Sequence, residues 1–196
     1  MTERSRSHRR PMTTNEAWAP IPNSLFRLGW SKTELLVYVA LLCLPYQNNG
    51  LVIAGQAEIS AGAGVSVRTT REVIPRLVAA GVIVQRQLYE GIPTHYQVHE
   101  LPRDGGFFRL PRRWLWETQL TTTERIVYLV LLSRRNRHSG EAVVSWVTIL
   151  AEARVTRRTL APALDTLETA GLISRLHQRR HAKRQGTNRY KVLLPS

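Results

Sequence analysis

The sequence repeats itself at a fixed distance of 90 residues. The stretch SKTELLVYVALL (31–42) aligns with TTTERIVYLVLL (121–132), and the match runs without a gap to AGVI (80–83) and AGLI (170–173). A single offset held over so many positions predicts an internal duplication, and therefore two domains of one fold. The identical pairs include Glu34/Glu124, Val37/Val127, Tyr38/Tyr128, Leu41/Leu131, Leu42/Leu132, Gly50/Gly140, Ile59/Ile149, Val65/Val155, Arg68/Arg158, Thr69/Thr159 and Leu77/Leu167.

Each copy begins with the signature of a capped helix. Ser31 and Glu34, like Thr121 and Glu124, are spaced as capping boxes, in which a hydroxyl and a carboxylate satisfy free backbone donors at a helix start. The apolar spacing that follows predicts one buried face on each helix. A second, short helix is expected over about 55–62 in the first copy and about 145–153 in the second.

A third helix in each copy is the best-marked element. Ser66 or Thr156 is a favourable N-cap residue. Gly81 or Gly171 follows the last turn, where a helix often exits through a left-handed conformation. Each of these helices contains a proline, which is expected either as a tolerated irregularity or as a kink that re-aims the helix start. The inward stripe is Ile74, Leu77, Leu160, Leu164 and Leu167, and the prolines are Pro75 and Pro162.

Alternating β-rich stretches follow each third helix and predict a two-stranded hairpin. The tips lie around Gly91 and Gly186, and the second is longer by about four residues. Three helices and a hairpin make a winged helix-turn-helix, so the fold class is mainly α with small β-hairpins (α+β), with two tandem winged-helix domains. We assign 1–20 to a disordered basic arm, 21–104 to domain 1 and 105–196 to domain 2, with a linker near Gly105-Gly106.

Charge is distributed unequally between the two copies. The chain carries a net formal charge of +14, and residues 107–196 hold seventeen basic and six acidic side chains, whereas residues 21–106 hold seven and six. One nearly neutral copy and one strongly cationic copy favour a polyanion as the partner of the second.

Both copies resemble the winged helix-turn-helix domains of plasmid and phage replication proteins and of related bacterial regulators. The second copy is the closer match, through FRLPRRWLW (108–116), TTTERIVYLVLL (121–132) and VTILAEARVTRRTLAPALDTLETAGLI (147–173). The resemblance covers nearly the whole chain after residue 20. It implies the fold more specifically than the function, because such domains serve repressors, initiators and docking modules alike.

The start of the third helix is the part that helix-turn-helix proteins place in the major groove. Arginine there can donate two hydrogen bonds to guanine, and Arg68 and Arg158 occupy the same place in both copies. The alternative is that these arginines are simply solvated. The candidate DNA-binding residues of the two helices are Arg68, Thr69, Arg71, Arg157, Arg158 and Thr159.

The second wing is cationic throughout: residues 172–196 contain seven basic side chains and no acidic one. A hairpin of this kind suits a phosphate backbone or a narrow minor groove. The first wing carries Arg86 against Glu90 and Glu100. Either it touches DNA weakly, or domain 1 is a surface for self-association or for a protein partner. The candidate wing residues are Arg86, Arg175, Arg179, Arg180, Lys183, Arg184, Arg189 and Lys191.

The sequence contains no pattern that predicts catalysis, a cofactor or a metal site. It has no HExxH, no phosphate-binding GxxxxGK[ST] and no cysteine pair, and GAG at 62–64 does not follow a strand. His177 and His181 fall in a predicted hairpin without an evident third ligand. Cys43, the only cysteine, lies in an apolar run that predicts core packing.

The leading hypothesis is therefore a non-enzymatic protein that binds double-stranded DNA sequence-specifically and regulates transcription. Its expected setting is the cytoplasm, with association to the nucleoid and not to membranes, since no apolar run reaches the length of a membrane span. One alternative is a plasmid or phage replication initiator that binds origin repeats. Another, from a different class, is a protein-docking adaptor with generic nucleic-acid affinity.

Overall fold

In the computed structural model, residues 18–47, 50–86, 94–176 and 187–194 are described. They form an α+β fold of helices and small antiparallel sheets. We call residues 18–104 the first half and 105–194 the second half. The predicted arm up to residue 17 and the tips of both predicted hairpins, including His177 and His181, lie outside the described residues.

The first half begins with a strand and a 3₁₀ turn, followed by three helices and a small sheet. Its strands are β1 (Trp18–Pro22), β2 (Tyr46–Gln47), β3 (Leu51–Ala54), β4 (Ile83–Arg86) and β5 (Thr94–Val98). Its helices are α1 (Lys32–Cys43), α2 (Gln56–Ala63) and α3 (Val67–Ala79), and the 3₁₀ turn spans Asn23–Arg27.

The second half repeats this order of elements. Its strands are β6 (Phe107–Pro111), β7 (Glu141–Val144), β8 (Ile173–Leu176) and β9 (Asn188–Val192), and its helices are α4 (Trp114–Glu117), α5 (Thr122–Ser133), α6 (Trp146–Ala153) and α7 (Arg157–Thr169). Helices α5, α6 and α7 begin and end 90 residues after α1, α2 and α3. The last strand follows at 94 residues, because the second hairpin is longer.

Within the described residues, three antiparallel sheets complete the fold. The first half contains the order β2-β3-β5-β4 and the second β7-β9-β8, so the returning strand of each hairpin lies between its partner and a short strand before the second helix. The third sheet is a ribbon of β1 and β6, which joins the two halves.

Local sequence signals explain the helix starts. In α1 the Ser31 amide donates to Glu34 Oε2 at 2.7 Å, and the Glu34 amide donates to Ser31 Oγ at 3.3 Å. Thr121 and Glu124 make the matching pair of bonds in α5, at 2.7 and 3.4 Å. Both predicted capping boxes are confirmed.

One tyrosine in each central helix anchors the hairpin of its own half. Tyr38 donates its hydroxyl to the carbonyl of His99 at 2.7 Å, and Tyr128 donates to the carbonyl of Leu193 at 2.5 Å. Burial raises the pKa of both phenols, so they remain donors throughout the ordinary pH range. Each returning strand is thereby tied to the central helix of its half through the residue that directly follows the strand.

Helices α1 and α5 are buried on every side. The sequence pattern predicts one apolar face for each, and this prediction is wrong: residues 35–43 and 125–132 are all buried. The reason is that each helix packs on its own half with one face and on the opposite central helix with another. A single hydrophobic cluster therefore runs through both halves. Cys43 lies within it, and burial raises the pKa of this thiol to about 12.

The ribbon is paired symmetrically, with Pro20 opposite Arg109 at its centre and Trp18 opposite Pro111 at one end. The Asn23 amide donates to the carbonyl of Gly106 at 3.0 Å. The backbone N–H and C=O groups of the odd-numbered residues of β1 therefore point towards β6, and the backbone nitrogens of Pro20 and Pro22 point away from it. The sequence places residues 18–20 in a disordered arm, but they form the start of this strand. The prediction fails because their partners in β6 lie 89 to 93 residues further along the chain.

The contacts between the halves are reciprocal. Helix α4 packs against α2, and the 3₁₀ turn, which is the counterpart of α4, packs against α6. At the axis of this arrangement, Lys32 Nζ at the start of α1 donates to Thr123 Oγ1 at the start of α5, at 3.3 Å. Equivalent surfaces that meet each other in this way define a local twofold relation, as in a symmetric dimer.

Two arginines of the second half cap helices of the first. Arg125, which is buried, donates from Nη1 to the carbonyl of Gly62 at 2.7 Å and from Nε to its own Leu120 carbonyl at 2.8 Å. Arg112 Nη1 lies within 3.1 Å of the carbonyls of residues 42–44 at the end of α1. A cation placed on free carbonyls complements the negative end of a helix.

Trp116 closes the same interface against α2. Its Nε1 donates to the carbonyl of Glu58 at 3.0 Å, and its ring covers Gly62, where an added Cβ would lie 2.5 Å from Cζ2.

Among the helices of the described residues, none is long and apolar enough to span a membrane.

We expect Gly62→Ala to destabilise the protein by about 1–3 kcal/mol, because the new methyl group overpacks against Trp116. The measurement is the free energy of unfolding in urea. The control is the same substitution in a Trp116→Leu background, where the clash is absent and alanine is favoured over glycine in a helix. An equal cost in both backgrounds would contradict the contact.

Candidate nucleic-acid interface

Helices α3 and α7 present one buried face and one exposed face. Residues 70, 73, 74 and 77 of α3 and the matching 160, 163, 164 and 167 of α7 are buried, and the inward stripe predicted from the sequence is confirmed. Both helices continue through their prolines, which are exposed. Proline has no amide hydrogen, so the carbonyl four residues earlier lacks its helical hydrogen bond. These carbonyls belong to Arg71 in α3 and to Arg158 in α7.

The arginines at the start of α3 are paired within their own half. Arg68 Nε donates to Glu72 Oε1 at 3.1 Å, and Arg71 Nε donates to Gln56 Oε1 at 2.9 Å. The Arg68 and Glu72 side chains are 90% and 56% exposed, so water screens this pair and it stabilises the fold little. Both arginines therefore remain accessible on the outer face of α3.

The start of α7 carries two exposed arginines, Arg157 and Arg158. Neither forms an ion pair with any residue in the described ranges. Pro162 stands where α3 has Glu72, so Arg158 lacks the carboxylate that Arg68 has one turn away. Two cations in a first helical turn oppose the positive end of the helix dipole, a cost of about 0.3–1 kcal/mol each that a bound anion would offset.

The two predicted threonines serve the helix starts. The Thr69 hydroxyl lies 2.8 Å from Ser66 Oγ, which itself accepts from the Thr69 amide at 3.0 Å. In α7 the Thr156 amide donates to Thr159 Oγ1 at 3.1 Å. Both threonines sit beside the candidate arginines, but their hydroxyls are already bonded within the protein.

Three of the predicted wing residues are bound within the second half. Arg175 donates to Asp165 Oδ1 at 2.6 Å and also pairs with Glu168, which ties β8 to the second part of α7. Arg189 pairs with Glu141 at 2.5 Å, and Lys191 Nζ donates to the carbonyl of Ser139 at 2.6 Å. Arg86 of the first wing is exposed at the end of β4. The remaining four, Arg179, Arg180, Lys183 and Arg184, lie outside the described residues.

Glu34 connects the interface between the halves to α3. Its carboxylate lies 3.8 Å from Arg76 Nη1 of α3 and within electrostatic reach of Arg154. Burial raises the pKa of this carboxyl, but the hydrogen bonds from Ser31 and the charges of Arg76 and Arg154 outweigh it, so the pKa lies below its ordinary value of 4.5.

Arg154 stands at the turn between α6 and α7 in a left-handed conformation, with φ of 53°. Its counterpart in the first half is Gly64, with φ of 66°. A non-glycine residue in this region is strained by about 1 kcal/mol. Burial lowers the pKa of its guanidinium and Glu34 raises it, with burial the larger effect.

The side-chain contacts between the two halves are not predictable from the sequence. Two of these residues stand out in the sequence: Arg125 lies inside an apolar run, and Trp116 lies beside the repeated segment. Neither feature of the sequence identifies α2 as the contact partner. The Arg68–Glu72 pair was detectable from its i,i+4 spacing. Trp30, Trp116 and Trp146 pack against the core, and Trp114 is buried.

The chain matches no family model. No curated protein matches it either. Within the described residues, no group of three or more His, Cys, Asp or Glu side chains is placed to hold a metal ion.

We expect Glu34→Gln to lower stability by about 0.3–1 kcal/mol at pH 7, because the charge favours both the helix start and the two arginines. The folded pKa lies below the unfolded value, so this contribution is present above pH 4.5 and is lost as pH falls through the folded pKa. Urea unfolding of both proteins from pH 7 to pH 3 measures the difference.

Glu124→Gln is the matched control, because Glu124 makes the equivalent capping bond in α5 and forms no ion pair with the described residues. Its effect is expected to be the smaller of the two. A Glu34→Gln difference that does not change with pH would contradict the electrostatic explanation.

Proposed function

We propose that this protein binds double-stranded DNA sequence-specifically through two winged helix-turn-helix units and acts as a transcriptional regulator. The observation that carries the proposal is the matching pair of exposed helices, α3 and α7, each with arginine at its second position and each preceded by a short helix and followed by a hairpin. This order of elements is that of a winged helix, in which the third helix enters the major groove.

The charges at the helix starts support a polyanion as the ligand. Arg157 and Arg158 are solvated and unpaired among the described residues, and they oppose the dipole of α7. Such a placement destabilises a free helix and favours one with a phosphate or a base edge bound. Arg68 and Arg71 are also accessible, since their partners hold them only through screened surface bonds.

The local twofold relation between the halves determines how two helices would meet one duplex. Direct repeats along a chain need not lie as direct repeats in space. Because the ribbon and the central helices pair reciprocally, α3 and α7 are related as the recognition helices of a symmetric dimer are. We therefore expect two half-sites in inverted orientation, with sequences that differ because the helices differ.

The second half is expected to supply most of the affinity. It carries the greater share of the net charge, although its described wing residues Arg175, Arg189 and Lys191 are bound internally. Removing charge at the tip should weaken binding to all sequences about equally and reduce the salt dependence of binding.

The test is fluorescence anisotropy with a site selected from random DNA and a shuffled duplex, at low and physiological salt, for the wild type, Arg68→Ala and Arg158→Ala. Each substitution should reduce the preference for the selected site about 5- to 150-fold, because an arginine–guanine contact is worth about 1–3 kcal/mol. Duplex from upstream of the protein's own gene tests the regulatory role.

The matched control is Arg109→Ala, which removes one exposed charge from the ribbon and not from a recognition helix. It should leave the preference unchanged. If no sequence is enriched from random DNA, or if Arg68→Ala and Arg158→Ala affect both duplexes alike, sequence-specific binding is wrong and the adaptor alternative takes its place.

A further inference from the structure

Glu72 distinguishes the two recognition helices at an otherwise corresponding place. Arg68 and Arg158 occupy the second position of their helices, and four residues later α3 has Glu72 where α7 has Pro162. Residues 68, 72 and 75 follow one another at i, i+4 and i+7, so they share the exposed face of α3, opposite the buried Ile74 and Leu77.

A carboxylate on this face has to be explained. The Arg68–Glu72 pair is exposed, and an exposed i,i+4 pair stabilises a helix by only about 0.3–0.5 kcal/mol. On a helix that enters the major groove, the same carboxylate lies among phosphates and repels them. Its presence is favourable only where a donor on the DNA meets it, and the exocyclic amino group of cytosine is such a donor.

The geometry of the pair leaves both side chains able to bind bases. Glu72 Oε1 accepts from Nε of Arg68, which leaves the terminal amino groups of the guanidinium for guanine O6 and N7, and leaves Oε2 of Glu72 as an acceptor. Four residues of α-helix rise about 6 Å, against about 3.4 Å for one base pair. The two contacts therefore fall one or two base pairs apart.

We propose that Glu72 is a specificity-determining residue of the half-site bound by α3, where its carboxylate accepts a hydrogen bond from the N4 amino group of a cytosine one or two base pairs from the guanine bound by Arg68. A guanine or thymine at that position offers only acceptors and leaves Glu72 Oε2 desolvated and without a donor, so binding of the first half to such a site is penalised. Pro162 can neither accept nor donate at this place, so the second half tolerates any base there.

This inference rests on the proposed function, and its test separates the two. Selection from random duplexes is performed with the wild type, Glu72→Ala and Glu72→Gln, and with Arg68→Ala to identify the guanine bound by α3. The wild type should enrich cytosine beside that guanine. Glu72→Ala should enrich all four bases equally at that position, and Glu72→Gln should shift the preference towards adenine, which glutamine binds through N6 and N7.

Two further variants complete the design. Pro162→Glu places a carboxylate one turn after Arg158 and should create a cytosine preference in the other half-site. Asp104→Asn is the matched control, because it removes one exposed negative charge from the turn before β6 and should change no position of the selected site. On fixed duplexes, replacing the cytosine should weaken wild-type binding tenfold or more and Glu72→Ala binding less than twofold.

The outcomes are distinct. If the wild type enriches no site, both the proposed function and this inference are wrong. If it enriches a site in which Glu72→Ala raises affinity for every duplex by the same factor and leaves the base preference unaltered, DNA binding stands and Glu72 acts only by repulsion, which overturns the inference.

Discussion

The burial of α1 and α5 against each other is the constraint on which the rest of this structure depends. After its first turn each helix is buried all round, and on one of its sides the covering residues come from the opposite half. Removing either half would expose the face of a central helix that the opposite half covers, at a cost of roughly 25 cal/mol for each Å² of apolar surface. The ribbon, the capping arginines and the Trp116–Gly62 contact surround this shared core and fix its geometry.

The elements themselves could be predicted because their signals are local. Capping boxes, N-cap residues and the glycines at 81 and 171, both with positive φ, mark helix ends within a few residues of sequence. The repeat then gives each element a second, independent observation. The ribbon could not be predicted in this way, since its two strands lie about 90 residues apart and neither alternates clearly. The long apolar runs of α1 and α5 indicate extensive burial, but apolar character does not identify the partner.

The residues of the candidate interface could be predicted from the sequence. Which of its cationic side chains are paired within the protein could not. The sequence shows which arginines stand at the helix starts, and they are exposed as expected. It does not show which cations are bound by neighbouring carboxylates, because Arg175, Arg189 and Lys191 find their partners through strand pairing and helix packing. A formal charge counted along the chain therefore overstates the charge that a ligand would meet at the base of the second wing.

The prolines of β1 have a consequence for the behaviour of many copies together. A two-stranded ribbon has free edges, and an exposed edge can add a strand from a neighbouring molecule. In β1 the nitrogens that face outward at residues 20 and 22 belong to proline and carry no hydrogen, so this edge offers no donor there. At high protein concentration an open strand edge would seed aggregates. The prolines of WAPIP disfavour the addition of a neighbouring strand at this edge of β1.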